Sequence, residues 1–350
     1  MSEEVKGIVL HGGHGTRLRP LTHTRPKQLL PVANKPISQY SLEGLVRAGI
    51  KEIAIVLGDV HPDKVRAYYG RGSEYGAEIS YVYQGEPRGI AHAIGLCEGF
   101  VGDSPFVACL GDNLLRDDLG PYVQGFIGSE QAAMLLLSEV RDGRRYGMAE
   151  ISDDKVRRIV EKPETPPSRH AVTGHYFLRG NIFEMIERVQ PSWTGELEMT
   201  SALQLLVEKD YHVGWRKVTG WWIDVATPRD LLVANRLVLN ELETSRGERD
   251  QGKDRGVVES SGVDAALRRP VSLGRSVSLG DDVKVGPYAS LAEGVNVSSG
   301  EVRNSVILSD STIEVGGRVS DSVIGSDCRI RSRGRGEYHL VVGDDSELEF

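Results

Sequence analysis

The sequence predicts an α/β protein in two parts: a mostly parallel sheet with intervening helices over residues 1–240, then a β-helix over residues 269–350. Three observations carry this reading. Short β-branched runs alternate with helical patterns through the first part. The composition changes at about Glu241, where "ETSRGERDQGKDRGVVESSG" is charged, Gly/Ser-rich and short of apolar residues, predicting a linker over 241–268. Beyond it, small aliphatic residues recur every six positions. A chain of 350 residues is also longer than one typical core.

The first run, "GIVL" (Gly7–Leu10), reads as a strand, as do "EIAIVLG" (Glu52–Gly58), "EISYVYQ" (Glu78–Gln84) and "PFVACLGD" (Pro105–Asp112). Their length, β-branched content and bounding glycines favour strands over buried helices. Between the first two, "PISQYSLEGLVRAGI" places Ile37, Tyr40, Leu45 and Val46 at helical spacing, and Gly49 stops the run. Strand, helix, strand in this order argues for a parallel sheet, whose ligands sit at the C-terminal strand ends. In the tail, Val271, Val277, Val283, Ala289 and Val295 fall at steps of six, and Ile307, Ile313 and Val319 continue them, with Glu301 breaking the series once. That period fits hexapeptide β-helix repeats, in which one small side chain per flat face stacks under the next.

Charged residues make up 26% of the chain and the net charge is −8, so nothing global points to nucleic acid or an acidic membrane surface. No apolar stretch reaches membrane-spanning length and "MSEEVKG" is polar, so the expectation is a cytoplasmic protein. Cys97, Cys109 and Cys328 have neither metal spacing nor the pattern of a disulfide framework, and Cys109 in "FVACL" reads as a core residue.

After the first strand comes "HGGHGTRLRP" (His11–Pro20). A loop crowded with Gly12, Gly13 and Gly15 lets backbone N–H groups converge on a phosphate chain, and Thr16, Arg17 and Lys27 add a hydroxyl and two cations. It is neither the G-x-G-x-x-G of dinucleotide folds nor G-x-x-x-x-G-K-[ST]. Asp112 ends its apolar strand in "GDN", where a carboxylate can reach a cleft and take magnesium, or simply form a turn.

The whole stretch "GGHGTRLRPLTHTRPKQLLPVANKPI" resembles the signature of the sugar-1-phosphate nucleotidyltransferases, most closely the glucose-1-phosphate thymidylyltransferases and their longer archaeal-type members. The resemblance runs over about residues 5–240. It implies a Rossmann-like catalytic domain, and the trailing hexads also occur in long members as a left-handed β-helix. It implies dTTP, or UTP, and a hexose 1-phosphate as substrates, with Mg²⁺ as cofactor. Leu10, Gly12, Gly13, Gly15, Thr16, Arg17 and Gln28 would line the nucleotide, and Gln84 and Gly89 of "YQGEPRGIAHAI" would face a pyrimidine base. Arg17 would stabilise the departing pyrophosphate, while Lys27 would contact the phosphates. Asp112 and Asp224 (in "GWWIDVATPRDLL") match the family's metal-binding carboxylates. The sugar 1-phosphate would draw on Tyr146, Gly147, Glu161, Lys162, Thr173, Gly174 and Glu196, with Lys162 neutralising the attacking phosphate. One of Trp221 and Trp222 would line the cleft and the other join the core.

Two departures stand out. The usual "AGG" opening is "HGG" here, which sets His11 either near the base or ribose or as a packed core histidine. The usual "DTGT" reads "DVAT" at Asp224–Thr227, which keeps the carboxylate but alters the loop. His14 falls at a variable family position and is given no role. A uridylyltransferase acting on glucose or N-acetylglucosamine 1-phosphate is the neighbouring enzyme reading. An inactive nucleotide-sugar sensor would have lost Arg17, Asp112, Lys162 or Asp224, and all four are present. The tail is expected to drive homo-oligomer formation rather than acyl transfer. Deleting 269–350 is accordingly expected to change oligomer size while sparing much of the chemistry.

Overall fold

The computed structural model describes residues 4–193, 195–249 and 267–350. These gather into two compact units, Met1–His14 with Ile37–Asp224, and Gly15–Pro36 with Val225–Phe350. In chain order the elements begin β1 (Lys6–His11), β2 (Pro31–Val32), β3 (Lys35–Pro36), α1 (Ile37–Arg47), β4 (Glu52–Gly58), α2 (Pro62–Tyr69), β5 (Glu78–Gly85), α3 (Ile90–Gly95), α4 (Glu98–Val101) and β6 (Phe106–Leu110). They continue with β7 (Asn113–Leu115), α5 (Gly120–Ile127), β8 (Ala133–Glu139), β9 (Gly147–Ser152), β10 (Lys155–Glu161), β11 (His170–Leu178), α6 (Asn181–Arg188), α7 (Met199–Glu208), β12 (Val213–Lys217), β13 (Trp222–Asp224) and α8 (Pro228–Arg249).

The first unit is a Rossmann-like α/β domain around a nine-stranded sheet of order β5-β4-β1-β6-β11-β8-β12-β10-β9. The four expected strands β5, β4, β1 and β6 are parallel neighbours, and helices α1 and α2 carry the chain between them. The side chains of β1, β4 and β6 are buried on both faces, as crossover helices require, while the edge strand β5 is largely open: Ile53 through Leu57 of β4 are all 0% exposed, as is Cys109 of β6. Beyond β6 the expectation of a mostly parallel sheet fails. β11 runs antiparallel to β6, β8 and β9, and β10 is antiparallel to β9 and β12; only β12 and β8 pair in parallel. The reason is local. β9 and β10 are joined by the two residues Asp153 and Asp154, with Asp153 at φ 54°, a tight hairpin that forces reversal where the earlier strands have crossover helices.

The second unit opens with two single-turn 3₁₀ helices, Thr16–Leu18 and Lys27–Leu29, and the β2–β3 hairpin. The hairpin turns at Ala33 and Asn34, both at positive φ as a primed turn needs (49° and 64°). Helix α8 continues through Arg249, into residues where composition predicts a linker; residues 250–266 of that stretch lie outside the described residues. The repeat region is a stack of parallel strands: Val271 pairs with Ala289, Val306 with Val323 and Val323 with Val341, so in these pairs the coil returns after 17 or 18 residues, three six-residue rungs. Val283, Ala289, Val295, Ile307, Ile313 and Val319 are each at most 1% exposed, and each such burial contributes about 1.5–3 kcal/mol for the larger side chains. Where Glu301 breaks the hexad, the next residue, Val302, supplies the inward side chain at 0% exposure.

Candidate functional site

In the first unit, Leu10 pairs with Leu110 across the parallel β1–β6 ladder, and Gly111 N–H donates to the Leu10 carbonyl (2.9 Å). The residues after β1 and Asp112 after β6 therefore leave the sheet side by side, at its C-terminal edge. Gly13 adopts φ 89°, and an added Cβ on Gly12 would stand 3.0 Å from the Gln84 side-chain oxygen. Gln84 in turn donates through Nε2 to the Gly89 carbonyl (3.1 Å) and lies 3.2 Å from His92 Nδ1. Gly12, Gln84 and Gly89 thus come together. Gly89 sits at φ 107°, ψ 164°, a region open essentially to glycine alone, and a Cβ there would lie 2.4 Å from the Leu197 carbonyl oxygen.

His11 is a packed core histidine. It is 3% exposed, stands edge-on to Tyr69 with centroids 5.9 Å apart, and both ring nitrogens are buried without a hydrogen-bond partner. Burial pulls its pKa down to about 3, against the opposing pull of Asp112, so the ring is neutral. His175 is likewise a core group, its Nδ1 3.1 Å from the Thr173 carbonyl, with burial lowering its pKa to about 4. His14 lies outside this cluster, 3.1 Å from Asp59.

Of the residues that the resemblance assigns to the sugar phosphate, Tyr146, Gly147, Glu161 and Lys162 meet at the β9–β10 hairpin. Gly147 is the register partner of Glu161, and Lys162 N–H donates to the Tyr146 carbonyl (3.1 Å). A Cβ on Gly147 would meet Thr200 Cγ2 at 2.5 Å, so glycine lets α7 close on the strand. Lys162, at φ 39°, reaches Glu161 at 2.9 Å, and Thr200 Oγ1 donates to the other Glu161 oxygen (3.0 Å). Burial alone would lower the Lys162 pKa, but Glu161, Glu198 and Glu196 outweigh it and hold the ammonium above the usual lysine range. Glu198 was not singled out from the sequence. It is 5% exposed, accepts from Ser192 Oγ (3.3 Å), and burial with the Glu161 charge pushes its pKa up. Its signal was the alternation Glu196, Glu198 in "GELEMT". The Thr173 hydroxyl is committed to the Leu136 carbonyl (3.0 Å) inside the sheet, and its carbonyl faces His175 Nδ1. Gly174 (φ 72°) occupies the irregular stretch of β11, where a Cβ would strike Leu110 at 2.7 Å.

The two candidate metal ligands are joined by a small ladder. β13 pairs antiparallel with β7, setting Asp224 opposite Asn113, the neighbour of Asp112. Asn113, 2% exposed, donates through Nδ2 to Asp112 Oδ1 (2.8 Å) and accepts from the Trp222 indole (2.8 Å). Trp222 packs edge-on against Tyr146, with centroids 5.2 Å apart. The expected division of the tryptophans into one cleft and one core residue does not hold, because both Trp221 and Trp222 are half-buried. No cluster of three or more His, Cys, Asp or Glu side chains suited to a metal occurs among the described residues.

The remaining candidates belong to the second unit. A Cβ on Gly15 (φ 60°) would stand 3.1 Å from Lys27 Cβ, so the 3₁₀ turn bearing Thr16 and Arg17 closes directly on the one bearing Lys27 and Gln28. Thr22 Oγ1 donates to the Gly15 carbonyl (2.8 Å) and pins this approach. Thr16 and Arg17 are exposed, Lys27 is half-buried and Gln28 is 1% exposed.

Comparison with known proteins bears on these groupings. Residues 6–241 match the nucleotidyl transferase family model, and residues 267–349 match the GMPPB C-terminal domain. The low-salt glycan biosynthesis nucleotidyltransferase Agl11 of Haloferax volcanii is 41% identical over 99% of this chain and 100% of its own length. A glucose-1-phosphate thymidylyltransferase of Streptomyces antibioticus is 35% identical over 99% of both chains. The UTP–glucose-1-phosphate uridylyltransferase AglF of Haloferax volcanii is 34% identical over 65% of this chain and 93% of its own. Among solved structures, a Bacillus anthracis protein described as a glucose-1-phosphate thymidylyltransferase, in complex with sucrose, superposes with a TM-score of 0.63 at 39% identity, covering 67% of this chain and 94% of its own. Among the described residues no helix is long and apolar enough to cross a membrane.

Proposed function

The chain belongs to the sugar-1-phosphate nucleotidyltransferases, and from that premise we propose that it converts dTTP and glucose 1-phosphate to dTDP-glucose and pyrophosphate. A phosphate oxygen of the sugar ester attacks the α-phosphorus of the triphosphate. The bond to the β-phosphate breaks and its electron pair leaves with pyrophosphate. Such chemistry asks mainly for alignment and charge neutralisation.

The chain's own groups suit those tasks. Backbone N–H groups of Gly12 and Gly13 suit phosphate oxygens, and in the second unit the exposed Arg17 guanidinium and Lys27 are cations of the kind a triphosphate needs. Gln84 offers an amide to the imide edge of a pyrimidine. Lys162, kept protonated by its carboxylate neighbours, draws the sugar phosphate towards the α-phosphate, while Glu161 and Glu196 accept from sugar hydroxyls. The donor pair Asp112 and Asp224 fits Mg²⁺, which takes one or two carboxylates and completes its shell with water and phosphate oxygens. When bound, that ion neutralises charge on the phosphates.

The single observation that carries this reading is the β7–β13 register, which sets Asp224 opposite Asn113, the chain neighbour of Asp112, from a distant part of the sequence. The uridylyl alternative is favoured by the likeness to AglF, since an amide reads uracil and thymine alike. The test is pyrophosphate release with Mg²⁺, pairing dTTP and UTP each with glucose and N-acetylglucosamine 1-phosphates. Highest kcat/KM for dTTP with glucose 1-phosphate supports the proposal, and preference for UTP transfers the assignment to the alternative. We also propose that the parallel coil is a left-handed β-helix, that it carries a homo-oligomer interface, and that the enzyme works in the cytoplasm.

A further inference from the structure

The segment carrying Arg17, Lys27 and Gln28 has little regular structure of its own. It consists of two 3₁₀ turns and a two-residue-per-strand hairpin, too little structure to hold a shape unaided. Within the second unit it is gripped at two points by residues far along the chain. At the first, Thr24 Oγ1 and Arg25 Nη2 both donate to Asp344 Oδ2, each at 2.5 Å. Arg25 also donates to Ser326 Oγ (3.0 Å), and Ser326 N–H donates to the other Asp344 oxygen (2.8 Å). Asp344 is therefore saturated on both oxygens and its side chain is only 8% exposed. At the same place Gly343 passes so close to Pro20 that a Cβ would stand 3.1 Å from it. At the second point, the hairpin turn is held by Asn235 of α8, 0% exposed, which accepts from Ala33 N–H (2.8 Å), and by Asn34 Nδ2 donating to the Leu291 carbonyl (2.8 Å) and Ser272 Oγ (3.1 Å).

The grips lie on either side of Lys27 and Gln28, and the first is two residues from Lys27. A short segment fixed at both ends cannot slide, and Gly15, where an added Cβ would stand 3.1 Å from Lys27 Cβ, passes that restraint to Arg17. We propose that Asp344 is a positioning residue for nucleotidyl transfer, holding Thr24 and Arg25 so that Lys27 and Arg17 are presented to the triphosphate in reactive geometry. This rests on the reading of Arg17 and Lys27 as phosphate-binding groups. The bonds from Thr24, Arg25 and the Ser326 amide also outweigh burial and keep the Asp344 carboxyl below its usual range, so the clamp is ionised during turnover at neutral pH.

The test uses the full chain with Asp344→Ala, Arg25→Met and Arg25→Lys, and with Glu293→Gln as control, which breaks an exposed 3.0 Å pair with Arg275 elsewhere on the coil. Two readouts are taken. Hydrogen exchange of peptides within residues 15–36 needs no substrate. Asp344→Ala and Arg25→Met are expected to speed it while the rest of the coil stays protected; unchanged exchange would overturn the clamp. Steady-state turnover is expected to fall roughly tenfold to a hundredfold in kcat with little change in KM for the sugar phosphate. Partial recovery in Arg25→Lys and a non-additive double variant are also expected. If the wild type and Asp344→Ala turn over equally while Arg17→Ala is inactive, the positioning role is wrong and the phosphate reading stands. If Arg17→Ala retains full velocity, that reading falls, and exchange alone then decides whether Asp344 holds the segment. Should Asp344→Ala unfold, Arg25→Met carries the same comparison, because removing a half-buried cation leaves the coil's own ladder intact.

Discussion

Asp224 stands opposite Asn113 in the β7–β13 ladder, one residue along from Asp112. The side chain of Asn113 completes the link, giving its amide N–H to Asp112 and taking one from Trp222. A buried amide used at both ends fixes the carboxylate's orientation and ties it to the aromatic pair Trp222–Tyr146.

Asn113→Ala should therefore cost more than Asn113 would as a turn residue. It leaves the indole N–H without its Asn113 acceptor and takes one donor from the Asp112 carboxylate. The expected losses are about 1–3 kcal/mol of stability and a fall in turnover that raised Mg²⁺ partly restores. Urea denaturation and a Mg²⁺ titration of velocity check both. Asp112→Asn and Asp224→Asn should instead abolish Mg²⁺-dependent pyrophosphate release at any Mg²⁺ concentration while the fold persists.

Gly89→Ala should fail sterically. Its φ of 107° and the 2.4 Å approach to the Leu197 carbonyl oxygen leave no room for a Cβ. The strained backbone alone costs on the order of 1–3 kcal/mol. Because the Gln84 amide bonds to the Gly89 carbonyl, the KM for the nucleotide should rise further than the KM for the sugar phosphate. Wild-type melting and kinetics in this variant would refute the close packing.

Arg17 is exposed, so Arg17→Ala should change stability by no more than about 0.5 kcal/mol. Its velocity should fall by about 10²–10³-fold, the scale of losing one charge-stabilising donor. Arg17→Lys should recover only part of this, because an ammonium cannot clamp two oxygens in a plane.

Acid should destabilise the first unit through its buried imidazoles. His11 and His175 titrate at about 3 and about 4 in the folded chain, against 6.5 when unfolded, burial being the main cause in both. Below 6.5 the unfolded chain takes up protons that the folded chain refuses. Stability is therefore full above about pH 6.5 and falls with acidification by up to about 1.4 kcal/mol per pH unit per histidine. His11→Ala should flatten the dependence of the urea midpoint between pH 6.5 and 5; an identical slope would show that His11 is protonated in the folded chain.

Removing residues 269–350 should reduce oligomer size on a sizing column coupled to light scattering. The sequence-based expectation that chemistry would largely survive is now revised. The repeat region and residues 15–36 form one compact unit, so the truncated chain should also lose most of its turnover.

What the sequence disclosed depended on the range of each interaction. The glycine loop, the hexads and the parallel strands around β1 are written in local spacing, and all were legible. The Glu301 lapse was legible only as a break, because nothing local says that Val302 turns inward instead. The antiparallel half of the sheet was missed because hairpin reversal at Asp153–Asp154 is a short-range signal set against a long-range αβ pattern. Asn113 drew no reading from the sequence, since its side-chain partners are Asp112 and the far-off Trp222. Asp344 left no trace at all: it looks like any Asp in a Gly-Asp-Asp turn, and its partners in the cationic segment are 319 and 320 residues away.

That separation has a consequence for how the protein is made. Thr24 and Arg25 leave the ribosome early, yet Asp344 follows 320 residues after Thr24. At about 5–20 residues per second, the amino-terminal segment waits roughly 15–60 s for its anchor. Throughout that interval the nascent chain carries the cationic loop without its Asp344 anchor, and the clamp closes only once the penultimate strand of the coil has been translated.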